Sequence, residues 1–231
     1  MTLSKTNTVT KGAFGPVRDE SIRDKAGDQT RLKIMSAAAK LFDAQGYKGT
    51  SVRQIAQEAN VNVALISYHF HGKQGLLEVL ISGYFERLFQ RFDEQEKLDQ
   101  DRSAFERLTT NIRLYVYYQR DHALVTRLIQ RELSVESMLA REVMTLYSHR
   151  FKHAFAKLIE EGMATGEMKT VFVDSVLLSM ASLLIYPYVN LQSVREVYYL
   201  EPLSDEFCER LVASTNELMR SLLLPSASFH K

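Results

Sequence analysis

Apolar residues recur at helical intervals in the first part of the chain. Within residues 30–45 they fall at i, i+4, i+7 and i+8, which places them on one face of a helix. These positions are Ile34, Ala38, Leu41 and Phe42. Asp28 or Thr30 can cap this helix at its start. Gly46 can end it, because glycine adopts the left-handed conformation that closes many helices.

The next predicted elements are two short helices and one long helix. They span residues 51–59, 62–68 and 73 to about 92. Thr50 or Ser51 can cap the first of them, and Asn62 can cap the second. Asn60 lies between the two short helices and tolerates a tight turn.

The chain beyond Asp99 also has helical periodicity, with no alternating pattern of a strand. Further helices are predicted at about 103–119, 122–132, 136–163, 172–188 and 205–223. The fold class is therefore predicted to be all-α. We divide the chain into a flexible tail at 1–27, a small head at 28–75 and a larger helical body at 76–231.

Two stretches and one residue exclude other classes of protein. Residues 1–27 lack the apolar run of a secretory signal, which favours a mobile cytoplasmic tail. The uncharged stretch between Asp174 and Arg195 has a dense apolar part only at 176–185, so it predicts a buried helix and no membrane span. A single cysteine, Cys208, excludes a disulfide framework and favours a small packed residue.

Charge is distributed unevenly over the 231 residues. The formal net charge is only +1, which argues against a uniformly basic protein that coats nucleic acid. Residues 1–75, however, hold eleven basic and six acidic side chains, a balance of +5. Residues 76–231 hold eighteen and twenty-two, a balance of −4. A basic head on an acidic body is typical of a DNA-binding domain joined to a domain that faces other proteins.

The two short helices have the dimensions of a helix-turn-helix. Ala56 and Ala59 are small enough for a close crossing, and Val61 and Ile66 can lock the two helices together. The outward face of the second helix carries small, aliphatic and hydroxyl groups, which can meet thymine methyls and phosphates. The head is therefore a candidate for DNA binding.

These residues resemble the DNA-binding head of the TetR family over about 45 positions. The resemblance is carried by Ile34-Met35, Ala37-Ala38, Leu41-Phe42, Gly46-Tyr47, Thr50-Ser51-Val52, Ile55-Ala56, Ala59, Val61, Tyr68-His69-Phe70, Lys73 and Leu76-Leu77. It implies a dimeric helical regulator of double-stranded DNA whose last two helices form a four-helix interface. Asn60 and Asn62 depart from the family's usual glycine and Ser or Thr, and Ser67 stands where a tyrosine is common.

The resemblance also implies which side chains contact DNA. Phosphate contacts are expected from Thr50, Arg53, Tyr68 and Lys73. Residues in or beside the major groove are expected to be Val63, Ala64, Leu65, Ser67 and His69, with Asn62 at the start of their helix. A closer resemblance, at 61–68 and 72–78, is to TetR-like proteins of spore-forming bacteria linked to chromosome position and cell division. It implies a cytoplasmic protein partner in the division machinery.

The body offers a weaker candidate, a pocket for a small-molecule effector. The candidate lining residues are Tyr115, Tyr118, Arg127, Arg131 and Met180. The alternative is that the aromatic residues and methionines form ordinary core. An inward-facing Arg127 or Arg131 would favour an acidic ligand or an ion pair with Glu132 or Glu136.

Other patterns in the body support binding to proteins more than chemistry. A tyrosine-rich strip comprises Tyr186, Tyr188, Tyr198 and Tyr199, and it predicts either a partner surface or dimer and loop packing. Residues 171–186 and 207–224 are too apolar for lone surface helices, which predicts a homodimer. His149 and His153 share a helix face without a third ligand, so we expect no metal site. No phosphate-binding loop or nucleophile elbow is present, so we expect no enzyme and no cofactor.

Overall fold

The computed structural model describes residues 20–132 and 138–225. Within these ranges the chain is helical and contains no strand. The helices are α1 (Glu20–Gly49), α2 (Val52–Glu58), α3 (Ala64–Phe70), α4 (Lys73–Leu98), α5 (Ala104–Asp121), α6 (Ala123–Glu132), α7 (Met138–Ala164), α8 (Val173–Val189), α9 (Leu191–Glu196) and α10 (Asp205–Leu223). The prediction of an all-α fold is confirmed.

Most helix boundaries lie within two residues of those predicted, and three features differ. Helix α4 ends at Leu98 and not at about 92. The first helix begins at Glu20, so residues 20–27 are helical and the expected caps Asp28 and Thr30 lie inside α1. The cause is that no proline or strong turn signal interrupts residues 20–30, so the helix extends beyond its apolar face. Residues 1–19 of the predicted tail lie outside the described residues. Helix α9 was not predicted, because its six residues are too few to show periodicity.

Gly46 breaks the regular helix as predicted. Its φ of 78° and ψ of 162° are not helical, and one further turn follows before Thr50. Glycine adopts this conformation without steric cost. The chain is thereby turned from α1 into α2.

One apolar core runs from the head into the body. Helices α1, α2 and α3 pack around Phe42, Ile55 and Ile66, which are fully buried. Helix α4 continues without interruption from this cluster into the body, where α5, α7, α8 and α10 pack on one another. No described helix is long and apolar enough to cross a membrane. The apolar stretch 176–185 lies within α8, as predicted.

Candidate nucleic-acid interface

Helix α2 begins with a complete capping box. The Ser51 hydroxyl accepts a hydrogen bond from the Gln54 backbone N–H at 3.2 Å, and the Ser51 backbone N–H donates to Gln54 Oε1 at 2.8 Å. Ser51 is therefore the cap, which decides between the two predicted candidates. The remaining N–H groups of the first turn point outward from the helix end, where they favour a phosphate.

Thr50 is turned inward, unlike the expectation for a phosphate contact. Its side chain is only 2% exposed, and its Oγ1 donates to the carbonyl oxygen of Gly46 at 2.8 Å. The hydroxyl satisfies a carbonyl left free where α1 breaks. In this arrangement the Thr50 side chain stabilises the interface from within and presents no donor to solvent.

The turn between α2 and α3 follows the prediction. Asn60 has a φ of 52°, the left-handed conformation that Asn tolerates. The Val61 N–H donates to the Ala56 carbonyl at 2.9 Å, which closes the turn. Ala56 and Ala59 are buried, as a close crossing of two helices requires.

Helix α3 has one buried face and one exposed face. Ile66 and Phe70 point into the core. The N-cap of α3 is Val63, which makes no side-chain bond to the helix, so the predicted cap at Asn62 lies one residue too early. Asn62 Oδ1 still accepts a hydrogen bond from the Ala64 N–H at 2.9 Å and so binds the first residue of α3. The exposed face carries Val63, Ala64, Ser67 and Tyr68. Tyr68 is 77% exposed, a large aromatic surface that the head itself does not use for packing.

Leu65 and His69 lie at the margin of this exposed face. Leu65 is half-buried against the core. The His69 ring is also half-buried and meets the Tyr68 ring edge-on, with 4.9 Å between the ring centroids. His69 therefore restricts the orientation of Tyr68 as well as lying beside it.

The turn from α3 into α4 depends on two glycines. Gly72 has a φ of 105°, a conformation that side chains rarely adopt. A Cβ at Gly75 would overlap the backbone carbonyl of Phe70, so only glycine permits this approach of the two helices. The start of α4 is thereby held against the end of α3.

Lys73, the first residue of α4, binds back to the junction between α1 and α2. Its Nζ donates to the carbonyl oxygens of Tyr47 at 2.8 Å and Thr50 at 2.7 Å, and it lies 4.3 Å from the centroid of the Tyr47 ring. These contacts occupy two of the three ammonium donors. The sequence indicated Lys73 as a phosphate contact but not this internal role. The only feature of the sequence that could have indicated this internal role is the aromatic residue Tyr47 in the motif.

The head carries exposed cations on α1 and α2. They include Arg31, Lys33, Lys48 and Arg53, and Arg31 Cζ lies 5.6 Å from the centroid of the Phe70 ring. Exposed cations attract a polyanion. The arrangement suits the phosphate backbone of a duplex.

The candidate effector pocket is only partly formed by the predicted residues. Tyr115 and Met180 line a cavity of about 410 Å³ together with residues of α4, α6, α7 and α8. Tyr118 does not line it, because its hydroxyl donates to the Tyr84 carbonyl at 2.6 Å inside the core. Burial raises the pKa of Tyr115 above its ordinary value. The cavity is mainly apolar, with the ion pair of Lys152 and Asp174 among its lining residues.

Arg127 is not among the residues that line this cavity. Its guanidinium binds both carboxylate oxygens of Asp43 on α1, with Nε–Oδ1 at 2.7 Å and Nη2–Oδ2 at 2.6 Å. The side chain of Arg131 lies outside the described residues. The expected partners Glu132 and Glu136 have side chains outside the described residues, and local spacing did not indicate a partner on α1.

The remaining predictions for the body concern three small groups. His149 and His153 are exposed, and the described residues include no group of three potential metal ligands. Tyr188 is buried and therefore does not belong to an exposed surface, as the predicted tyrosine strip required. The other three tyrosines of the strip, Tyr186, Tyr198 and Tyr199, are exposed. Cys208 is fully buried as predicted, and burial raises the pKa of its thiol.

Comparison with known proteins gives the same class as the geometry, a helix-turn-helix transcriptional regulator that binds DNA. The family described as bacterial regulatory proteins, tetR family, matches residues 34–80. The Probable HTH-type transcriptional regulator YttP of Bacillus subtilis (strain 168) is 38% identical over 173 residues, which cover 75% of this chain and 84% of that protein. This chain therefore belongs to the tetR family.

Solved structures share the fold. A tetR-family regulatory protein from Rhodococcus RHA1 has a TM-score of 0.68 at 21% identity, covering 82% of this chain and 96% of its own. FadR from Bacillus subtilis, solved in complex with stearoyl-CoA, has a TM-score of 0.65 at 20% identity, covering 81% and 96%. At these identities the likeness concerns the fold alone.

Proposed function

We propose that the protein is a homodimer that reads a palindromic DNA site by inserting α3 of each protomer into the major groove. The observation that carries this proposal is the exposed face of α3, where Tyr68 projects into solvent although α3 is otherwise well packed. The +5 balance of residues 1–75 supplies attraction to phosphate, while the negative body limits adhesion elsewhere.

The exposed residues divide into two roles. Arg53, Tyr68 and the N-terminus of α2 contact phosphates and set the register of the head on the duplex. Base contacts come from the outer face of α3 and its margin, at Val63, Ala64, Leu65, Ser67 and His69. Asn62, Thr50 and Lys73 support this face through their internal hydrogen bonds.

Binding is tested with a site selected from random duplexes and measured by fluorescence anisotropy. Tyr68→Ala is expected to weaken binding at least about tenfold, equivalent to 1.4 kcal/mol. Tyr199→Ala is the matched control, because Tyr199 is 87% exposed but lies in the body. Equal affinity of the unaltered protein for the selected site and for random duplexes would refute the proposal.

A second proposed function is repression that responds to an apolar effector bound in the cavity of about 410 Å³. The cavity lining supports this role, because its walls are mainly apolar and Lys152 could exchange its ion pair with Asp174 for the anionic end of an amphiphile. Thermal unfolding with fatty acids of increasing length tests it. Stabilisation should depend on length and should disappear in Ala181→Phe, which fills the cavity. Lack of any stabilisation in the unaltered protein would contradict an effector of this class.

A third proposed function follows from the closer resemblance at 61–68 and 72–78, a role in chromosome position and cell division. The exposed tyrosines 186, 198 and 199 support it as a surface for a protein partner. Arg195 is unsuitable for testing this surface, because it forms two hydrogen bonds to Glu201 at 2.7 and 2.8 Å. Tyr199→Ala should abolish the cellular effect while leaving DNA binding intact. Genome-wide mapping should find dispersed sites at fixed chromosomal positions, and sites confined to one promoter would contradict this role.

A further inference from the structure

The ion pair between Arg127 and Asp43 joins the body to the head. Arg127 belongs to α6, whereas Asp43 lies near the end of α1, shortly before the break at Gly46. Both side chains are partly buried, and both carboxylate oxygens are bound. A fork of two parallel hydrogen bonds fixes an angle as well as a distance.

The head behaves as one unit on its side of this ion pair. Lys73 connects the start of α4 to the junction before α2, and Gly75 allows α4 to touch the end of α3. Any rotation of α1 relative to the body therefore carries α2 and α3 with it.

Arg127 is anchored equally firmly on the body side. Its neighbour Thr126 is buried, and the Thr126 hydroxyl lies 3.1 Å from the Tyr84 hydroxyl and 3.1 Å from the Gln119 carbonyl. These contacts connect α6 to α4 and α5. The guanidinium thus projects from a fixed part of the body.

Two connections determine how the head sits on the body. Helix α4 passes from one to the other without a break, but a single helix leaves rotation about its axis and bending possible. The contact of α1 with α6 restrains both motions. Asp43 and Arg127 supply a directional contact at this place, whereas apolar packing is not directional.

We propose that Arg127 and Asp43 are positioning residues that set the spacing between the two half-sites that the dimer accepts. The inference rests on the proposed function as a DNA-binding dimer. Two recognition helices must reach major grooves about 34–36 Å apart, or a multiple of this distance. Because each α3 moves with its head, a head held at one angle selects one spacing. A head released from the ion pair accepts neighbouring spacings.

The test measures affinity for the selected site and for versions with one base pair added or removed between the half-sites. The unaltered protein should lose about tenfold or more in affinity for each change of spacing, or 1.4 kcal/mol. The variants Arg127→Gln and Asp43→Asn should each lose less than about threefold in affinity for each change of spacing. Their affinity for an isolated half-site should equal that of the unaltered protein. Arg195→Gln is the matched control, since it removes a bidentate pair whose two partners, Arg195 and Glu201, both belong to the body.

A charge exchange distinguishes this role from general stabilisation. The double variant Arg127→Asp with Asp43→Arg should regain the strict spacing that either single substitution loses. Undiminished selectivity for spacing in both Arg127→Gln and Asp43→Asn would overturn the proposal, provided thermal unfolding shows each variant folded. Failure of the unaltered protein to prefer any duplex would instead refute the proposed function.

Discussion

The ammonium of Lys73 lies 2.7 Å from the carbonyl oxygen of Thr50 and thereby joins the start of α4 to the start of the helix-turn-helix. The Thr50 hydroxyl binds in turn to the carbonyl of Gly46. Two residues expected to contact phosphate thus form a continuous internal connection behind the exposed face. We therefore expect DNA affinity to depend on side chains that stabilise the shape of the head as well as on those that touch the duplex.

The first prediction separates these two kinds of contribution with Lys73→Met, which keeps most of the side-chain length but removes the donors. We expect weaker DNA binding, because the junction before α2 loses two hydrogen bonds. We expect no change in the slope of log K against log salt concentration. Loss of a true phosphate contact lowers that slope by about 0.9 per contact.

Arg53→Gln is the control for this measurement, because Arg53 is exposed on α2. It should reduce the salt slope by about 0.9, as a phosphate contact does. A similar reduction for Lys73→Met would show that its ammonium contacts a phosphate in the complex. Fluorescence anisotropy at four or more salt concentrations decides between the two outcomes.

The second prediction concerns the close approach of α4 to α3. Gly75→Ala should destabilise the protein by about 1–3 kcal/mol, because the added methyl overlaps the Phe70 carbonyl and forces the helices apart. Gly83→Ala in the same helix meets only the flexible end of Arg87. It should be neutral or stabilising by up to about 1 kcal/mol, the difference between Gly and Ala in a helix.

Urea unfolding of both variants measures the two free energies of unfolding. DNA binding by folded Gly75→Ala should also weaken, since α3 is displaced. Equal stability of the Gly75→Ala and Gly83→Ala variants would contradict the contact on which the turn depends.

Local chemistry made much of the head predictable from the sequence. Asn60 and Asn62 act within two residues of their own position, so their roles follow from residue type and spacing alone. Gly46 ends the regular part of α1 for the same reason. The order of the helices was also predictable, because apolar periodicity reports burial along each one.

Partners that lie far apart along the chain were not predictable. Arg127 has glutamates nearby in sequence, yet it binds Asp43 on another helix. Tyr118 and Tyr188 both face the core. The sequence showed only that they occur in aromatic stripes, which could equally have lined a pocket or a surface. Such choices depend on how helices are rotated against one another, and single-chain spacing contains little information about that rotation.

The third prediction concerns stability in mild acid. His122 stacks on Tyr118 with ring centroids 4.1 Å apart, and burial, followed by the charges of Arg87 and Arg91, lowers the pKa of His122 from its ordinary 6.5. The unfolded chain therefore takes up this proton at higher pH than the folded protein does. Stability contributed by the neutral ring is present above about pH 6.5 and is lost as the pH falls below it.

His122→Gln should reduce this loss, so its urea midpoint should change less than that of the unaltered protein between about pH 7.5 and about pH 5.5. His149→Gln is the control, because His149 is exposed on α7. An unchanged pH profile in His122→Gln would assign the acid sensitivity to other groups.

The fourth prediction concerns the dimer. Leu178 is 70% exposed on α8, a helix otherwise too apolar for a surface position, so we expect it to be covered by the partner protomer. Leu178→Glu would bury an unpaired carboxylate in that interface and should shift the protein to a monomer at micromolar concentration.

Leu98→Glu is the matched control, because Leu98 is 79% exposed at the end of α4. It should leave the dimer intact. Sedimentation velocity measures both variants, and a dimer that tolerates Leu178→Glu would place the interface elsewhere. Because a monomer presents only one α3, Leu178→Glu should also lose preference for a palindrome over a half-site while retaining the half-site affinity itself.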